Sequence, residues 1–268
     1  MTFIINFLLK FRINKYSAFI WNSSNKNLLP VKNTNRININ LLVGIDRQKN
    51  TLLNNTKNFA LGNFTNNALL WGARGNGKST LIKAIFYLLS KDNKNLKLIQ
   101  LNKNNIFDIE KIYSLLRKFS NLRFIIFIDD LSFEKIDGQY KVIKSTLDGS
   151  IQNQPQNIVI YVTSNRRHLM PREMIDNERS SAIHTDESVE EKISLSDRFG
   201  LWIGFHSFSQ LEYLEIIKTY CNYFKITYNE EIEKQSIRWS LQRGNRTGRT
   251  AWQFIIQIAA DRNLKLDF

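Results

Sequence analysis

A short glycine-rich segment carries the clearest chemical meaning in this sequence. Between positions 72 and 79 the chain reads Gly-Ala-Arg-Gly-Asn-Gly-Lys-Ser, which fits G-x-x-x-x-G-K-[ST] at every fixed position, between an apolar run and a pattern of helical spacing. Glycines permit backbone conformations closed to other residues, so successive N–H groups can surround an anion. Lys78 can place its cation on the β- and γ-phosphates, and Ser79 can offer a hydroxyl to Mg²⁺ at the start of the helix. The motif therefore predicts a nucleoside triphosphate as the ligand.

A pair of acidic residues follows another apolar run further along the chain. Phe124–Ile128 leads directly into Asp129 and Asp130. Because ligands of parallel sheets bind at the carboxyl edges of the strands, we expect this pair beside the glycine-rich loop. Asp129 can hold the Mg²⁺ shell, and Asp130 can orient or deprotonate an attacking water. Glu134 competes with Asp130 for this second role, since a loop could bring it close.

A third polar group follows the run Ile158–Val162, where the sequence continues with Thr163, Ser164 and Asn165. A side-chain amide at the carboxyl end of a strand can reach the γ-phosphate or the attacking water, and Asn165 is the best candidate. Taken alone, a Ser-Asn pair after a strand is more often a simple turn. The assignment therefore depends on the two motifs that precede it.

These motifs need strands and helices to position them, and the two alternate from Leu41 onward. Apolar runs of strand length alternate with stretches of helical spacing, a pattern typical of α/β proteins in which helices cover a parallel sheet. The predicted strands are Ala68–Trp71, Leu96–Leu101, Phe124–Ile128, Ile158–Val162 and Leu201–Phe205. We therefore predict an α/β fold with a parallel sheet between helices.

After the fifth predicted strand the pattern contains only helices. Ser209 and Glu212 form a capping-box pattern at the start of the first of these helices. We therefore predict an α/β core at residues 41–207 and a small helical subdomain at residues 208–268.

The N-terminal part, residues 1–40, is predicted to be an extension and linker. Residues 22–40 are rich in Asn, Lys and Ser and have no sustained periodicity. The apolar run Phe3–Leu9 precedes its positive charges, which is the reverse of a signal peptide. Residues 1–21 are then either an amphipathic or poorly ordered extension or an anchor on a membrane surface.

The composition excludes several classes of protein. The one cysteine, Cys221, cannot form an internal disulfide, and no Cys/His cluster has zinc-site spacing, so we expect a cytoplasmic protein. No run approaches the roughly 18 consecutive apolar residues of a membrane-spanning helix. The formal net charge of +14 is compatible with a nucleic-acid partner. Because Lys is abundant throughout, charge alone does not establish that partner.

In combination, the motifs resemble the AAA+ class of P-loop ATPases over residues 41–261. Four segments resemble more closely a bacterial family of AAA+-like ATP-binding proteins with no established function: Asn67–Gly75, Asp129–Glu134, Thr163–Leu169 and Ser196–Gly200. The resemblance implies a P-loop NTPase sheet sandwiched by helices, a C-terminal helical lid, and the use of ATP with Mg²⁺.

The resemblance also implies roles for individual residues. Lys78 and Ser79 match the Walker A motif, Asp129 and Asp130 match Walker B, and Asn165 matches sensor 1. The implied nucleotide-binding residues are Val43, Gly44, Gly72, Ala73, Arg74, Gly75, Asn76, Gly77, Lys78, Ser79 and Thr80.

Further positions match functional residues of the AAA+ class. Arg198 matches an arginine finger, which acts in the site of a neighbouring subunit and so implies a homo-oligomer. Arg249 matches sensor 2, which closes the helical lid over the γ-phosphate, and Arg246 competes with it for this role. The segment Val43-Gly44-Ile45-Asp46 resembles the one that packs near adenine in this class, through backbone and apolar contacts and not through a specific side chain.

Two functional hypotheses follow from these assignments. The leading one is an ATPase that couples nucleotide binding and hydrolysis to a conformational change on a macromolecular partner, either nucleic acid or protein. The alternative is a nucleotide-gated loader or scaffold that binds DNA or protein without hydrolysis. The pair Asp129-Asp130 favours it mildly, because most AAA+ proteins carry Asp-Glu there and this pairing resembles the initiator and helicase-loader branch. A small-molecule kinase is a weaker third reading, since no acceptor pocket can be named.

Overall fold

A seven-stranded sheet forms the centre of the protein. The computed structural model describes residues 10–32, 37–133, 138–148, 154–169 and 195–266. Within these ranges the strands are β1 (Ala18–Asn22), β2 (Asn27–Pro30), β3 (Ala68–Gly72), β4 (Leu96–Leu101), β5 (Arg123–Ile128), β6 (Ile158–Ser164) and β7 (Leu201–Phe205). Their order is β2-β1-β4-β5-β6-β3-β7, and every pair is parallel except the antiparallel hairpin of β1 and β2.

The register of the central strands brings three predicted motifs to one edge of the sheet. Trp71 of β3 lies opposite Ser164 of β6, and Ile128 of β5 lies opposite Val162 of β6. The segments that follow these three strands therefore emerge side by side at their carboxyl ends, where parallel sheets bind ligands.

Helices cover both faces of the sheet, which confirms the predicted α/β sandwich. They are α1 (Asp46–Ala60), α2 (Lys78–Ser90), α3 (Ile109–Leu116), α4 (Gly138–Asp148), α5 (Gln210–Tyr223), α6 (Glu230–Gln242) and α7 (Gly248–Asp261). On one face α1, α2 and α5–α7 share a buried apolar cluster with Leu70 and Phe127. On the other face α3 and α4 pack with Leu69 and Ile126. The alternation of side chains along each strand produces these two separate clusters.

The N-terminal part differs from the predicted linker. β1 pairs with β4 and so extends the sheet, and Phe19 and Trp21 are buried. The Trp21 Nε1–H donates to Asp108 Oδ2 at 3.1 Å, which joins the hairpin to the segment before α3. The prediction that residues 22–40 form a linker is wrong at β2, because a strand of four residues is too short to show periodicity among polar neighbours. Residues 1–9 lie outside the described ranges.

The C-terminal helices begin as the sequence predicts. The Ser209 hydroxyl accepts from the Glu212 N–H, and the Glu212 carboxylate accepts from the Ser209 N–H, so the predicted capping box is confirmed. The boundary of a helical subdomain at residue 208 stays a prediction. None of the helices in the described ranges combines the length and apolar character needed to cross a membrane.

Candidate nucleotide-binding site

A cavity of about 780 Å³ lies between the carboxyl edge of the sheet and the C-terminal helices. The residues that line it are Ile37, Leu41, Leu42, Val43, Ile45, Arg74, Gly75, Asn76, Gly77, Lys78, Ser79, Thr80, Asp129, Asp130, Thr163, Asn165, Phe208, Ile216, Tyr220, Gly248, Arg249 and Trp252. Polar residues of the three predicted motifs thus face the same space as an apolar wall.

The glycine-rich loop connects β3 to α2 and approaches the neighbouring strand closely. Gly72 has φ +127°, and a Cβ there would lie 2.0 Å from the Phe205 backbone oxygen. The Ala73 N–H donates to this same oxygen at 3.1 Å. Only glycine allows the chain to turn so close to β7. Gly72 and Ala73 do not line the cavity, but their carbonyl oxygens help to hold Lys78.

The Lys78 ammonium group is held at the start of α2 by three acceptors. Its Nζ donates to the backbone oxygens of Gly72 at 2.7 Å and Ala73 at 2.8 Å, and to Asn165 Oδ1 at 3.2 Å. These bonds use all three N–H donors of the ammonium group. Lys78 therefore links the glycine-rich loop to the segment after β6.

Burial and nearby charges act in opposite directions on Lys78. Burial lowers the pKa of Lys78 to about 8, and Asp130 and Asp129 oppose this shift while Arg249 and Arg74 add to it. The group is therefore mostly charged at pH 7, but with a weaker hold on its proton than a lysine in water.

Ser79 and Asp129 meet directly. The Ser79 hydroxyl donates to Asp129 Oδ1 at 2.5 Å, and the Thr163 hydroxyl donates to the same oxygen at 2.5 Å. A hydroxyl and a carboxylate are hard oxygen ligands of the kind that Mg²⁺ prefers. The donor set therefore fits the metal that the motifs imply.

Asp130 adopts an uncommon backbone conformation and forms hydrogen bonds with three neighbouring residues. Its φ is +52°, in the left-handed region, and its N–H donates to the Thr163 hydroxyl at 2.9 Å. Its carboxylate accepts from Asn165 Nδ2 at 2.5 Å, and its backbone oxygen accepts from Lys103 Nζ at 3.2 Å. Asn165 thus bridges Lys78 and Asp130, whereas the rival residue Glu134 lies outside the described ranges.

The start of α7 contacts the glycine-rich loop. The Arg249 N–H donates to the Gly75 backbone oxygen at 3.0 Å. A Cβ on Gly75, whose φ is +81°, would lie 2.9 Å from the Thr247 hydroxyl. The loop that would hold phosphates is therefore in direct contact with the C-terminal helices.

The predicted arginines occupy different places. Arg249 lines the cavity, whereas Arg246 does not. Arg246 instead donates from Nη2 to Gln210 Oε1 at 3.3 Å, so the geometry favours Arg249 over Arg246 for the predicted sensor 2 role. Arg198 lies just before β7, is partly exposed, and does not line the cavity. Within one chain the structure therefore does not bring Arg198 to the other site residues.

Of the two residues predicted to bind nucleotide near adenine, only one lines the cavity. Val43 lines the cavity, whereas Gly44 lies behind it with φ +76°, and a Cβ there would meet the Phe208 ring at 3.0 Å. Gly44 therefore allows the segment to pack against that ring.

Sequence reasoning missed most of the apolar wall and one polar residue. Phe208, Tyr220 and Trp252 line the cavity, but they lie in or beside helices where the same spacing is typical of core positions. The missed polar residue is Thr163, although its position at the end of a strand, close to Asn165, is a usable signal. Both its hydrogen bonds organise the acidic pair.

Comparison with protein families gives one match over most of the chain. The family described as "Protein of unknown function (DUF815)" matches residues 14–262. None of the curated proteins matches the sequence.

Solved structures share the fold. The Thermotoga maritima RuvB Holliday junction branch migration motor has a TM-score of 0.56 at 17% identity, over 85% of this chain and 67% of that chain. Aeropyrum pernix ORC1 in complex with DNA has a TM-score of 0.56 at 15% identity, over 83% of this chain and 62% of that chain. Domain III of the Thermotoga maritima replication initiation protein DnaA has a TM-score of 0.54 at 14% identity, over 85% of this chain and 90% of that chain.

These likenesses concern the fold. The chain spans 63% of a point mutant of the same RuvB and 62% of ORC1, so both are longer than the shared part. The shared architecture is the AAA+ fold of RuvB, ORC1 and DnaA, which confirms the predicted fold.

Proposed function

The chain belongs to the family described as "Protein of unknown function (DUF815)", and we propose that it is an ATPase that binds ATP with Mg²⁺. We further propose that the nucleotide state moves helices α5–α7 relative to the sheet and that this movement acts on a macromolecular partner. A cytoplasmic location is part of this proposal and agrees with a single, buried cysteine.

One observation carries the proposal. The Ser79 hydroxyl and the Asp129 carboxylate, which are 50 positions apart in sequence, are joined by a 2.5 Å hydrogen bond inside the cavity. Lys78 precedes Ser79 on the same helix, so a cation donor and two oxygen ligands lie together. This is the combination that a Mg-triphosphate requires.

The other site residues have roles that follow from their contacts. When bound, Mg²⁺ would neutralise charge on the phosphate oxygens while Ser79 and Asp129 hold it. Lys78 can exchange its acceptors, Asn165 Oδ1 among them, for phosphate oxygens, and Asn165 can then turn its amide to the terminal phosphate. Asp130 lines the cavity and can orient or deprotonate a water there.

The contact between α7 and the glycine-rich loop supports a role for Arg249. Its backbone N–H donates to the Gly75 oxygen, Arg249 lines the cavity, and its charge helps to lower the pKa of Lys78, so the Arg249 charge lies close to the glycine-rich loop. A charge on α7 that meets the terminal phosphate would stabilise the closed arrangement in ATP more than in ADP. We propose Arg249 as this sensor.

Arg198 would act only in an assembly of several copies. It does not line the cavity of its own chain. We therefore propose a homo-oligomer in which Arg198 stabilises charge in the site of a neighbouring copy. In mixtures of Arg198→Ala and Asp130→Asn chains, each inactive alone, partial recovery of phosphate release would support this role, and no recovery would oppose it.

The test of the site is calorimetry with Mg-ATP. Lys78→Ala should abolish Mg-ATP binding, because it removes the cation at the phosphates. Asp130→Asn should keep Mg-ATP binding in calorimetry but stop phosphate release, which is measured separately. Lys91→Ala is the matched control, since Lys91 is exposed just beyond the end of α2 and does not line the cavity. Wild-type affinity in Lys78→Ala would refute the assignment.

A nucleotide-gated binding module without hydrolysis is the second candidate. It is favoured by the short side chain of Asp130 and by the Asn165 amide that already engages its carboxylate. Phosphate release under saturating Mg-ATP, measured with and without single-stranded DNA, separates the two candidates. Turnover in either condition supports the ATPase, and tight binding without turnover supports the module.

A further inference from the structure

Two tryptophans and an arginine form a cluster outside the nucleotide cavity. The rings of Trp71 on β3 and Trp202 on β7 have centroids 6.0 Å apart at an interplanar angle of 52°. The Arg167 guanidinium lies over both, 5.2 Å from the centroid of Trp71 and 5.0 Å from that of Trp202. Arg167 is exposed, both rings are partly exposed, and none of the three lines the nucleotide cavity. We call these three residues the Trp–Arg cluster.

We propose that the Trp–Arg cluster is a binding surface for single-stranded nucleic acid. Aromatic rings and arginine planes are the groups on which unpaired bases stack, and a cationic surround attracts the phosphates. His206 is exposed beside the cluster and meets the Trp71 ring edge-on at 5.8 Å. The net charge of +14 supplies the long-range attraction. This inference rests on the proposed function, because it names the macromolecular partner on which the proposed ATPase acts.

The cluster has features that a purely structural contact does not need. Gly204 lies within β7 under the Trp71 ring, and a Cβ there would be 2.8 Å from Trp71 Cζ2. A glycine inside a strand weakens it, and here it gives Trp71 the room to lie across β7. The buried Trp202 Nε1 has no hydrogen-bond partner in the described part of the chain, which costs stability. Local rules of stability are typically broken at functional sites.

Short backbone connections join the cluster to the phosphate site. Trp71 directly precedes Gly72, whose oxygen accepts from Lys78. The His206 backbone oxygen accepts from Asn76 Nδ2 at 2.6 Å. A nucleotide that rearranges these groups would shift the Trp–Arg cluster, so nucleic-acid affinity should differ between the ATP-bound and nucleotide-free protein.

The test measures binding of the full chain to fluorescent oligothymidylate and oligouridylate of about 20 nucleotides by anisotropy, with and without Mg-ATP. Arg167→Gln should weaken binding at least about 5-fold and reduce the slope of affinity against salt by about 0.7. Trp71→Leu should weaken binding by about 5- to 100-fold with the salt slope unchanged. The matched control is Arg238→Gln, because Arg238 is exposed on α6. This substitution also removes one positive charge, but at a position that does not belong to the Trp–Arg cluster.

Several outcomes would overturn the proposal. The proposal would be wrong if the wild-type protein bound neither probe, or if the affinity of Arg167→Gln stayed within about twofold of wild type. It would also be wrong if Arg238→Gln lost as much affinity as Arg167→Gln. A change of oligomeric state in Arg167→Gln without an effect on nucleic acid would identify a protein interface instead. Arg167 is exposed, so its variant decides the question even where Trp71→Leu does not fold. Mg-ATP binding of Arg167→Gln should stay at the wild-type level, which separates this proposal from the ATP site.

Discussion

Thr163 offers the sharpest test of how the acidic pair is organised. Its side chain is 1% exposed, its hydroxyl donates to Asp129 and accepts from the Asp130 N–H, and Thr163→Val removes both bonds with little change of shape. A hydrogen bond to a charged group contributes about 1.5–3 kcal/mol, and an orphaned N–H adds a cost of its own. We therefore expect Thr163→Val to lower the free energy of unfolding by about 2–4 kcal/mol.

The same substitution should also weaken the metal site. A residue that orients a metal ligand typically changes metal affinity by about 10–100-fold when removed. We expect the Mg²⁺ concentration for half-maximal ATP binding to rise by about that factor in Thr163→Val. Calorimetric ATP titrations at a series of Mg²⁺ concentrations measure it, alongside urea unfolding of the same protein.

Thr163→Ser is the matched control, because it keeps the hydroxyl and loses only a methyl group. It should retain Mg²⁺ dependence within about twofold of wild type, since the donor to Asp129 remains. A folded Thr163→Val protein with unchanged Mg²⁺ dependence would refute the reasoning that Thr163 orients the metal ligand.

Three further predictions concern protonation and backbone geometry. Because burial lowers the pKa of Lys78 to about 8 and a triphosphate would raise that pKa again, Mg-ATP binding at pH 8 should take up about half a proton. The affinity for Mg-ATP should then fall as the pH rises above about 8. Calorimetry in buffers of different ionisation enthalpy measures the proton uptake, and an uptake of zero would contradict this prediction. Gly72→Ala should lower the free energy of unfolding by at least about 3 kcal/mol, because the alanine Cβ would clash with the Phe205 backbone oxygen. A variant as stable in urea as the wild type would contradict this prediction. Asp108→Asn should lower the free energy of unfolding by about 2 kcal/mol at pH 7. Because the hydrogen bond from Lys111 lowers the pKa of Asp108 to about 2, this difference from wild type should shrink as the pH falls from 4 to 2. Urea unfolding at a series of pH values measures it, and a difference that does not depend on pH would contradict the prediction.

The strands that carry the motifs could be predicted because they are buried on both faces. β6 has every residue buried, so its apolar run ends where the polar edge begins, and the prediction missed only its last two residues, Thr163 and Ser164. β1 has one exposed residue, and the sequence predicted an amphipathic or poorly ordered extension, or a membrane-surface anchor, at this place instead of a strand. Its place became clear only through pairing with β4, which sequence periodicity does not report.

The polar half of the site could be predicted and the apolar half could not. Gly, Lys, Ser and Asp at fixed spacing are demanded by phosphate and Mg²⁺ chemistry, so their types alone indicate a function. Tyr220 belongs to a buried cluster, Trp252 packs against that cluster, and both also line the cavity. A helix shows the same spacing whether its apolar face meets the core or a ligand. Only the packing of α5 and α7 over the sheet distinguishes the two.

In the proposed ATP site, the hydrogen bonds of Asn165 would provide a physical way to sense a third phosphate. Asn165 Oδ1 accepts from Lys78 while its Nδ2 donates to Asp130. A terminal phosphate that engages Lys78 takes away one end of this bridge, and the amide is then free to turn toward the phosphate and release the Asp130 carboxylate to water. A diphosphate lacks this third phosphate and would therefore leave the Asn165 amide bonded to Asp130. Since Gly75 in the same loop bonds the Arg249 N–H, the phosphate that frees Asp130 also bears on α7. In the proposed function, the third phosphate would therefore determine both the hydrogen bonding of Asp130 and the position of α7.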